Sequence, residues 1–419
     1  MTASQSARKV LLVTSSYPRW IGDSTTPFVH HLAQDLRALG WDVRVLAPHA
    51  PASLKRETLD GVPVERFRYL WPERQQTVCY DGGALVNLRR NRWNLAKLPL
   101  LLLFQVLAVA RRLARGDVAV VHSHWILPQG LTAGIAARLF RVPHVATIHG
   151  GDAFALSGRW LRWCKRLACR LSDVVTVNSS ATRAAVAGFA PRQQRVEYIP
   201  MGVSEDPCRD PAQVARLRSR YRSGSGPLLI FVGRLIEEKG VGDLIRAMPL
   251  LLPELPDARL VVVGEGPGRA GFEGLAALVA PPGTVAFAGW VAAAEVPCFL
   301  AAADIFIGPS KAAADGWREA QGLTFAEAMM AGIPVVATRS AGIPDAVSHE
   351  RTGLLVAENA PAEIAAAVIR LATQPELAGR LAATGRELVV RQFTRRATAQ
   401  AFVRLFEGLT VRSEPRADG

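Results

Sequence analysis

The chain is predicted to be an α/β protein of two doubly wound, parallel-sheet domains, and three observations lead there. Its 419 residues exceed what one ordinary core organises and suit two domains of about 200 residues each. Both halves open in the same way, with an apolar strand, a loop and a helix: Lys9–Thr14 leads to Pro27–Leu39, and Pro227–Val232 leads to Val241–Leu252. Short apolar runs then recur with helical stretches between most of them, the pattern of helices covering a parallel sheet.

In the first half these runs are Val43–Ala47, Val118–Val121, His144–Thr147 and Val174–Val177. In the second they are Leu260–Val263, Val285–Ala288, Asp304–Ile307 and Pro334–Ala337. The segment Ile199–Ser204, with the polar stretch through Pro211, reads as a linker, so the first domain is expected over 1–200 and the second over 201–393. Apolar residues make up 49% of the chain, ample for two cores, and no low-complexity tract or internal repeat is visible.

Five cysteines, at 79, 164, 169, 208 and 298, form no Cys-x-x-Cys pair and leave an odd one over; they are expected as reduced thiols of a cytosolic protein. Near the amino end, Arg8-Lys9 precede only four apolar residues before Thr14-Ser15-Ser16, which fits a first strand better than a signal peptide. The net charge of +14 is unevenly placed: residues 1–200 hold 27 Lys/Arg against 12 Asp/Glu, and residues 201–419 hold 23 against 24. The basic first half suits nucleic acid, an anionic membrane or an anionic substrate, and local pattern must choose among them.

The stretch Glu319–Glu327 is the most informative. Two carboxylates with seven residues between them enclose a turn at Gly322 and the start of a short helix, expected over Thr324–Ala331 and followed by a buried strand. Amides at Gly322, Leu323 and Thr324, at the positive end of the helix dipole, suit a phosphate, and carboxylates accept from the vicinal hydroxyls of a hexose and a ribose. Glu319 and Glu327 are therefore expected at opposite ends of a nucleotide sugar. A second loop, Gly233–Gly240, carries Arg234 and Lys239 five residues apart, which can hold a diphosphate between a guanidinium fork and an ammonium. Gly264 and Gly266 form a turn after another strand, and backbone groups near Trp290 and Val291 are placed to read a base edge.

In the first half, Thr147–Asp152 ends a strand with His149 ahead of two glycines, where a ligand approaches closely. His149 is there a candidate ligand contact, with Asp152 nearby, and a structural histidine is the alternative. His122 and His124 point the same way by strand alternation; no third metal ligand accompanies them, so His124 is read as an acceptor-side residue. Gly22, in the loop 15–26, allows the backbone near a phosphate or acceptor.

Together these segments resemble the retaining glycosyltransferases of family 4, which have the GT-B fold. The family's Glu, seven residues, Glu signature runs into "EAMA-G-PVVA", here Glu327–Ala337; "V-G-R-L-x-x-x-K-G" is Val232–Gly240, "V-G-x-G-P" is Val263–Pro267 and "T-x-H-G-x-D" is Thr147–Asp152. Three departures stand out: Ala320 where Gly is common, Asp23-Ser24 where a Gly-Gly pair is common, and Met201 and Ser204 within the linker motif. The resemblance implies two Rossmann-like domains facing across a cleft, with residues 394–419 supplying a last helix, roughly Arg395–Leu409, that returns to the first domain. It also implies donor binding by Gly22, Asp152, Gly233, Gly264, Gly266, Trp290, Val291, Gly322, Leu323, Thr324 and Glu327. His149, Arg234, Lys239 and Glu319 would be catalytic, and the acceptor would lie mainly on the first domain. A hexose would pass from a nucleoside-diphosphate sugar to an acceptor hydroxyl with retention, by front-face attack. No Asp-x-Asp pair is present, so neither metal nor other cofactor is expected. A nucleotide-sugar epimerase or phosphorylase of the same architecture, or a non-catalytic partner subunit of a polysaccharide assembly complex, are the alternatives.

Two segments bear on location. Over Arg159–Arg170, helical spacing groups Trp160, Trp163/Cys164, Leu167 and Leu171 on one face and Arg159, Arg162, Arg166 and Arg170 on another. Leu98–Ala110 is strongly apolar, has arginines on both sides, and is shorter than the roughly 20 residues that cross a bilayer. Both suit an anionic membrane surface, with core helices edged by solvated arginines as the alternative. A cytoplasmic protein peripheral on the inner face of the plasma membrane, meeting a glycan or lipid-linked acceptor, is therefore expected. Nucleic acid is disfavoured, since no recognition motif appears.

Overall fold

The computed structural model of the protein describes residues 8–413 apart from 24, 156, 207, 209 and 314–315. The chain forms two compact α/β units: one runs to Pro200 and takes in the segment from Arg395 onward, and the other is Met201–Thr394.

The first unit holds an eight-stranded sheet of β1 (Lys9–Val13), β2 (Asp42–Pro48), β3 (Arg56–Leu59), β4 (Val62–Phe67), β5 (Val120–His124), β6 (His144–Ile148), β7 (Val174–Val177) and β8 (Val196–Tyr198), in the order β3-β4-β2-β1-β5-β6-β7-β8. Only β3 pairs antiparallel, with β4. This hairpin escapes an apolar-run reading because Arg56–Leu59 is half charged and Val62–Phe67 alternates, as an edge position allows. Asp60-Gly61, both at positive φ, are its turn signal.

Four helices of this unit matter below: α1 (Pro27–Ala38), α2 (Asn94–Leu113), α3 (Leu131–Phe140) and α4 (Arg159–Arg170), with α3 packed against both α2 and α4. The apolar run at Leu98–Ala110 is continued by its neighbours into the 20-residue α2, which by length and composition suffices to cross a membrane, so the expectation that it is too short is corrected. The expected faces of α4 are also corrected. It buries Cys164, Lys165, Ala168 and Cys169, while Trp160 and Trp163 are 72% and 58% exposed. The Lys165 ammonium is drawn inward because it donates to the Ala153 carbonyl at 2.8 Å.

The second unit is a six-stranded, wholly parallel sheet of β9 (Leu228–Val232), β10 (Arg259–Val263), β11 (Val285–Gly289), β12 (Ile305–Gly308), β13 (Val335–Thr338) and β14 (Leu354–Val356), ordered β11-β10-β9-β12-β13-β14. Around it lie α5 (Pro211–Tyr221), α6 (Val241–Leu251), α7 (Val296–Ala302) and α8 (Leu323–Met330). Cys208 and Cys298 are joined in a disulfide, Cα to Cα 4.7 Å, which corrects the expectation of five free thiols. The pair lies 90 residues apart in sequence, and the packing of α5 on α7 brings it together. Cys79, Cys164 and Cys169 remain buried thiols.

The last helix, α9 (Arg395–Ser413), belongs to the first unit, where Arg395 donates to Asp35 of α1 at 2.6 and 2.9 Å and Phe406 packs edge-on against Trp41. Strand order reverses between β1 and β5 in the first sheet and between β9 and β12 in the second. At such points neighbouring loops diverge and leave a crevice beyond the carboxyl ends of the strands.

Candidate functional site

In the second unit that crevice is flanked by the loop after β9, with Arg234 and Lys239, and the loop after β12, with Glu319. The Lys239 ammonium is bound by the Glu319 carboxylate and lies 5.5 Å from the centre of the Trp317 ring. Arg234 is exposed and has no ion pair among the described residues. Neighbouring Glu237 does not neutralise it, because Glu237 and Asp243 both pair with Lys311, at 2.6 and 3.4 Å. One cation is thus held by a carboxylate and the other is open.

Helix α8 starts from Gly322, whose φ of 69° and ψ of 73° lie in the left-handed region. Glycine is required there twice over, since a Cβ would also run into the Phe325 ring. No side chain caps the helix, so the amides of Leu323 and Thr324 lie ahead of its hydrogen-bond ladder and remain available. Glu327, one turn in, has no hydrogen-bond partner among the described residues, and desolvation pushes its carboxyl up to about 7. A half-buried carboxyl without a donor among the described residues suits hydroxyls brought by a ligand.

Sequence reading passed over Gln321. Its amide nitrogen donates to the Met201 carbonyl at 2.6 Å and its oxygen accepts from the Met201 amide at 2.9 Å, which fixes the Glu319–Gly322 loop on the start of the unit. Nothing local distinguishes this buried glutamine from a solvated one. Gly264 serves close backbone approach: a Cβ there would collide with the Gly233 carbonyl, and Gly266 likewise abuts the Leu235 carbonyl. The loops after β9 and β10 are zipped together by Gly233 N–H to Val263 and Leu235 N–H to Glu265. Trp290 is exposed and Val291 half-buried beyond β11, two strands from the reversal.

The first unit fills its crevice differently. His122 and His124 share a face of β5 with rings 4.4 Å apart, and His122 is packed against Phe402 and Phe406 of α9. His124 is wholly buried beneath His149: the rings stack at 5.2 Å, and His124 Nδ1 lies 3.0 Å from His149 Nε2. Phe28 and Trp125 flank His149 at 4.9 and 5.1 Å between ring centres. Burial holds the His149 imidazole down at about 3, so it is neutral at ordinary pH. Asp152 accepts from the Ile126 amide at 2.6 Å and the His149 amide at 3.2 Å, and is 3% exposed. Its carboxylate therefore holds the loop that carries His149. Gly22 stands in an open, exposed turn at φ 87°, in a loop closed by Asp23, which accepts from Arg19 and Thr25; Ser24 lies outside the described residues.

The Glycosyltransferase Family 4 profile matches residues 26–206, and the Glycosyl transferases group 1 profile matches residues 216–388. A GDP-mannose-dependent alpha-(1-6)-phosphatidylinositol monomannoside mannosyltransferase from Mycolicibacterium smegmatis is 31% identical over 333 residues, 78% of this chain and 86% of the relative. The chain belongs to glycosyltransferase family 4. The enzyme of the same name from Mycobacterium tuberculosis is 38% identical to this family 4 chain over 224 residues, 53% of the chain and 58% of that relative's length. Its fold is GT-B: the crystal structure of Anabaena Alr3699/HepE in complex with UDP superposes with a TM-score of 0.73 at 19% identity, over 96% of this chain and all of the other. Each profile covers most of one sheet, and the second spans every residue named above from Arg234 to Glu327.

Proposed function

We propose that this family 4 member is a retaining, metal-independent hexosyltransferase that moves a hexose from a nucleoside-diphosphate sugar to an acceptor hydroxyl. The observation that carries the reading is the set of groups at the strand reversal of the second unit: an open guanidinium, an ammonium held by a carboxylate, uncapped helix amides and a half-buried carboxyl without a donor among the described residues. The cations and helix amides suit a diphosphate, and the two carboxyls suit the hexose and the ribose on either side of it.

Arg234, Lys239 and the amides of Leu323 and Thr324 oppose the charge that develops on the departing diphosphate, and each such donor contributes about 3–4 kcal/mol of barrier lowering. Glu319 takes the hydroxyls of the transferred hexose, and Glu327 those of the ribose. A phosphate that recruits the Lys239 ammonium releases Glu319 for its sugar. His149, a neutral imidazole, hydrogen-bonds the hexose, and a departing phosphate oxygen takes the acceptor's proton.

The relatives named above use GDP-mannose and a phosphatidylinositol mannoside, which favours a lipid-borne acceptor for this chain as well. A lipid-linked glycan of cell-surface polysaccharide synthesis, met on the cytoplasmic face of the plasma membrane, fits the basic first half. The test is a thermal-shift screen against UDP-, GDP- and ADP-hexoses, followed by donor hydrolysis with the stabilising one. One nucleotide sugar should raise the melting temperature and be slowly hydrolysed. Stabilisation without hydrolysis or transfer would favour a non-catalytic subunit, and no stabilisation by any of them would reject the reading.

A further inference from the structure

We infer that the helix layer α2–α3–α4 is a docking face that lies in the plane of an anionic lipid bilayer; this rests on the membrane-borne acceptor proposed above. The primary observation is that α2 is turned the wrong way for a core helix. It is apolar along most of its length, yet little of it is buried. Leu101, Gln105, Val109 and Leu113 face the protein, while Leu100, Leu103 and Leu107, spaced three to four residues apart, are exposed, as is Trp93 just ahead of the helix. Alongside, α3 exposes Ile135 and Leu139, and α4 exposes Trp160 and Trp163. Three adjacent helices thus offer large apolar side chains outward, beyond the scattered leucines that any surface carries.

Charge identifies what covers them. Residues 82–172 contain 14 Lys/Arg and two acids, Asp117 and Asp152. Asp117 is bound by Arg112 and Lys9, and Asp152 by backbone amides, so neither offsets the field of the exposed arginines. A face this cationic repels a second copy of itself and attracts an anionic phosphate plane, over about 8 Å at physiological salt. Exposed leucines between arginines, with tryptophans among them, are the makeup of helices that lie in the headgroup region with their apolar side in the acyl boundary.

Helix α2 is about 30 Å long, enough to cross a bilayer. Crossing would pull Leu101, Gln105 and Val109 out of the first unit's core, and would carry one of its two arginine clusters, Arg89–Arg92 or Arg111–Arg115, through the hydrocarbon. Lying flat keeps both clusters at the phosphates.

The experiment is sedimentation of the full chain with phosphatidylcholine vesicles containing increasing phosphatidylglycerol, for wild type, for Leu100→Asp with Leu103→Asp, and for Arg138→Glu with Arg141→Glu and Arg166→Glu. Nucleotide-sugar stabilisation is measured on the same samples, so loss of the donor reading is seen separately from loss of docking. Wild type should bind in proportion to phosphatidylglycerol and be released by salt, and each variant should bind about tenfold more weakly with its melting temperature and donor stabilisation unchanged. Should the leucine variant melt early, quenching of wild-type tryptophan fluorescence by brominated acyl chains stands in for it, with quenching expected. Equal binding to neutral and anionic vesicles, no effect of either variant, absence of quenching, self-association through this face, or retention after an alkaline carbonate wash would each overturn the inference.

Discussion

The two sheets reverse strand order at equivalent places and treat the resulting crevice in opposite ways. At β9/β12 the flanking segments present ionisable groups incompletely paired among the described residues: Arg234 open, Lys239 on Glu319, Glu327 half-buried without a donor. At β1/β5 the space is packed with neutral rings, His124 under His149 between Phe28 and Trp125, and the Asp152 carboxylate is bound by backbone amides. Topology supplies a crevice in both; the ionisation and pairing of a few side chains decide which one suits a dianionic ligand. The overall charge runs the other way, with the basic excess in the first half carried largely by the exposed helix layer.

The largest expected effect tests the charged crevice. Arg234→Ala and Lys239→Ala should each lower kcat/KM by a factor of about a hundred to a thousand with an unchanged melting temperature. Near-normal rates in both would break the contrast between the crevices. Asp152→Asn should instead lower the melting temperature, by an amount corresponding to about 1–3 kcal/mol, because a backbone clamp is weakened and no ligand contact is lost. Preserved stability with lost donor affinity would make Asp152 a ligand after all.

Glu319→Gln and Glu327→Gln should differ in kind. The first should reduce turnover at near-normal nucleotide affinity, and the second should weaken the nucleotide, as calorimetry and steady-state kinetics will separate. A loss of free nucleotide affinity confined to Glu319→Gln would reverse the orientation proposed for the donor.

The pH dependence should reside in the second unit. Glu327 titrates near 7 in the folded chain, against about 4.5 when unfolded, so the native state holds its proton more tightly. Stability contributed by that proton is present below pH 4.5, declines as pH rises through 7, and is absent above. Nucleotide affinity should move oppositely, strengthening as the carboxylate forms. Glu327→Gln should flatten both profiles, whereas His149, neutral throughout this range, should leave no inflection of its own. An inflection that persists in Glu327→Gln would refute the assignment. The smallest expected effect is that of exhaustive chelation, which should leave transfer unchanged; loss restored by manganese or magnesium would contradict a metal-free mechanism.

Most of the frame was legible in sequence because buried parallel strands are continuous apolar runs. The exceptions were the β3/β4 edge hairpin, with its charges, and the three-residue β8 and β14, too short to stand out. In the candidate site, glycine-flanked loops after strands marked Arg234, Lys239 and His149, and the spacing of two carboxylates marked Glu319 and Glu327. What sequence could not contain was pairing. That Lys239 binds Glu319, that Gln321 grips Met201, that His124 lies under His149 and that Cys208 meets Cys298 all depend on segments brought together by the sheets. The faces of α4 were misread for the same reason: helical spacing groups residues, but the carbonyl that draws Lys165 inward comes from another segment.

We propose that the second unit's crevice holds a nucleoside diphosphate through the open Arg234 guanidinium and the helix amides. The most direct test is calorimetric titration of UDP, GDP and ADP into the full chain and into Arg234→Ala. One nucleotide should bind the wild type at a single site and lose about tenfold or more in affinity in the variant, with the melting temperature of the free proteins equal. Binding of equal strength to both proteins, or of none of the three to the wild type, would contradict it.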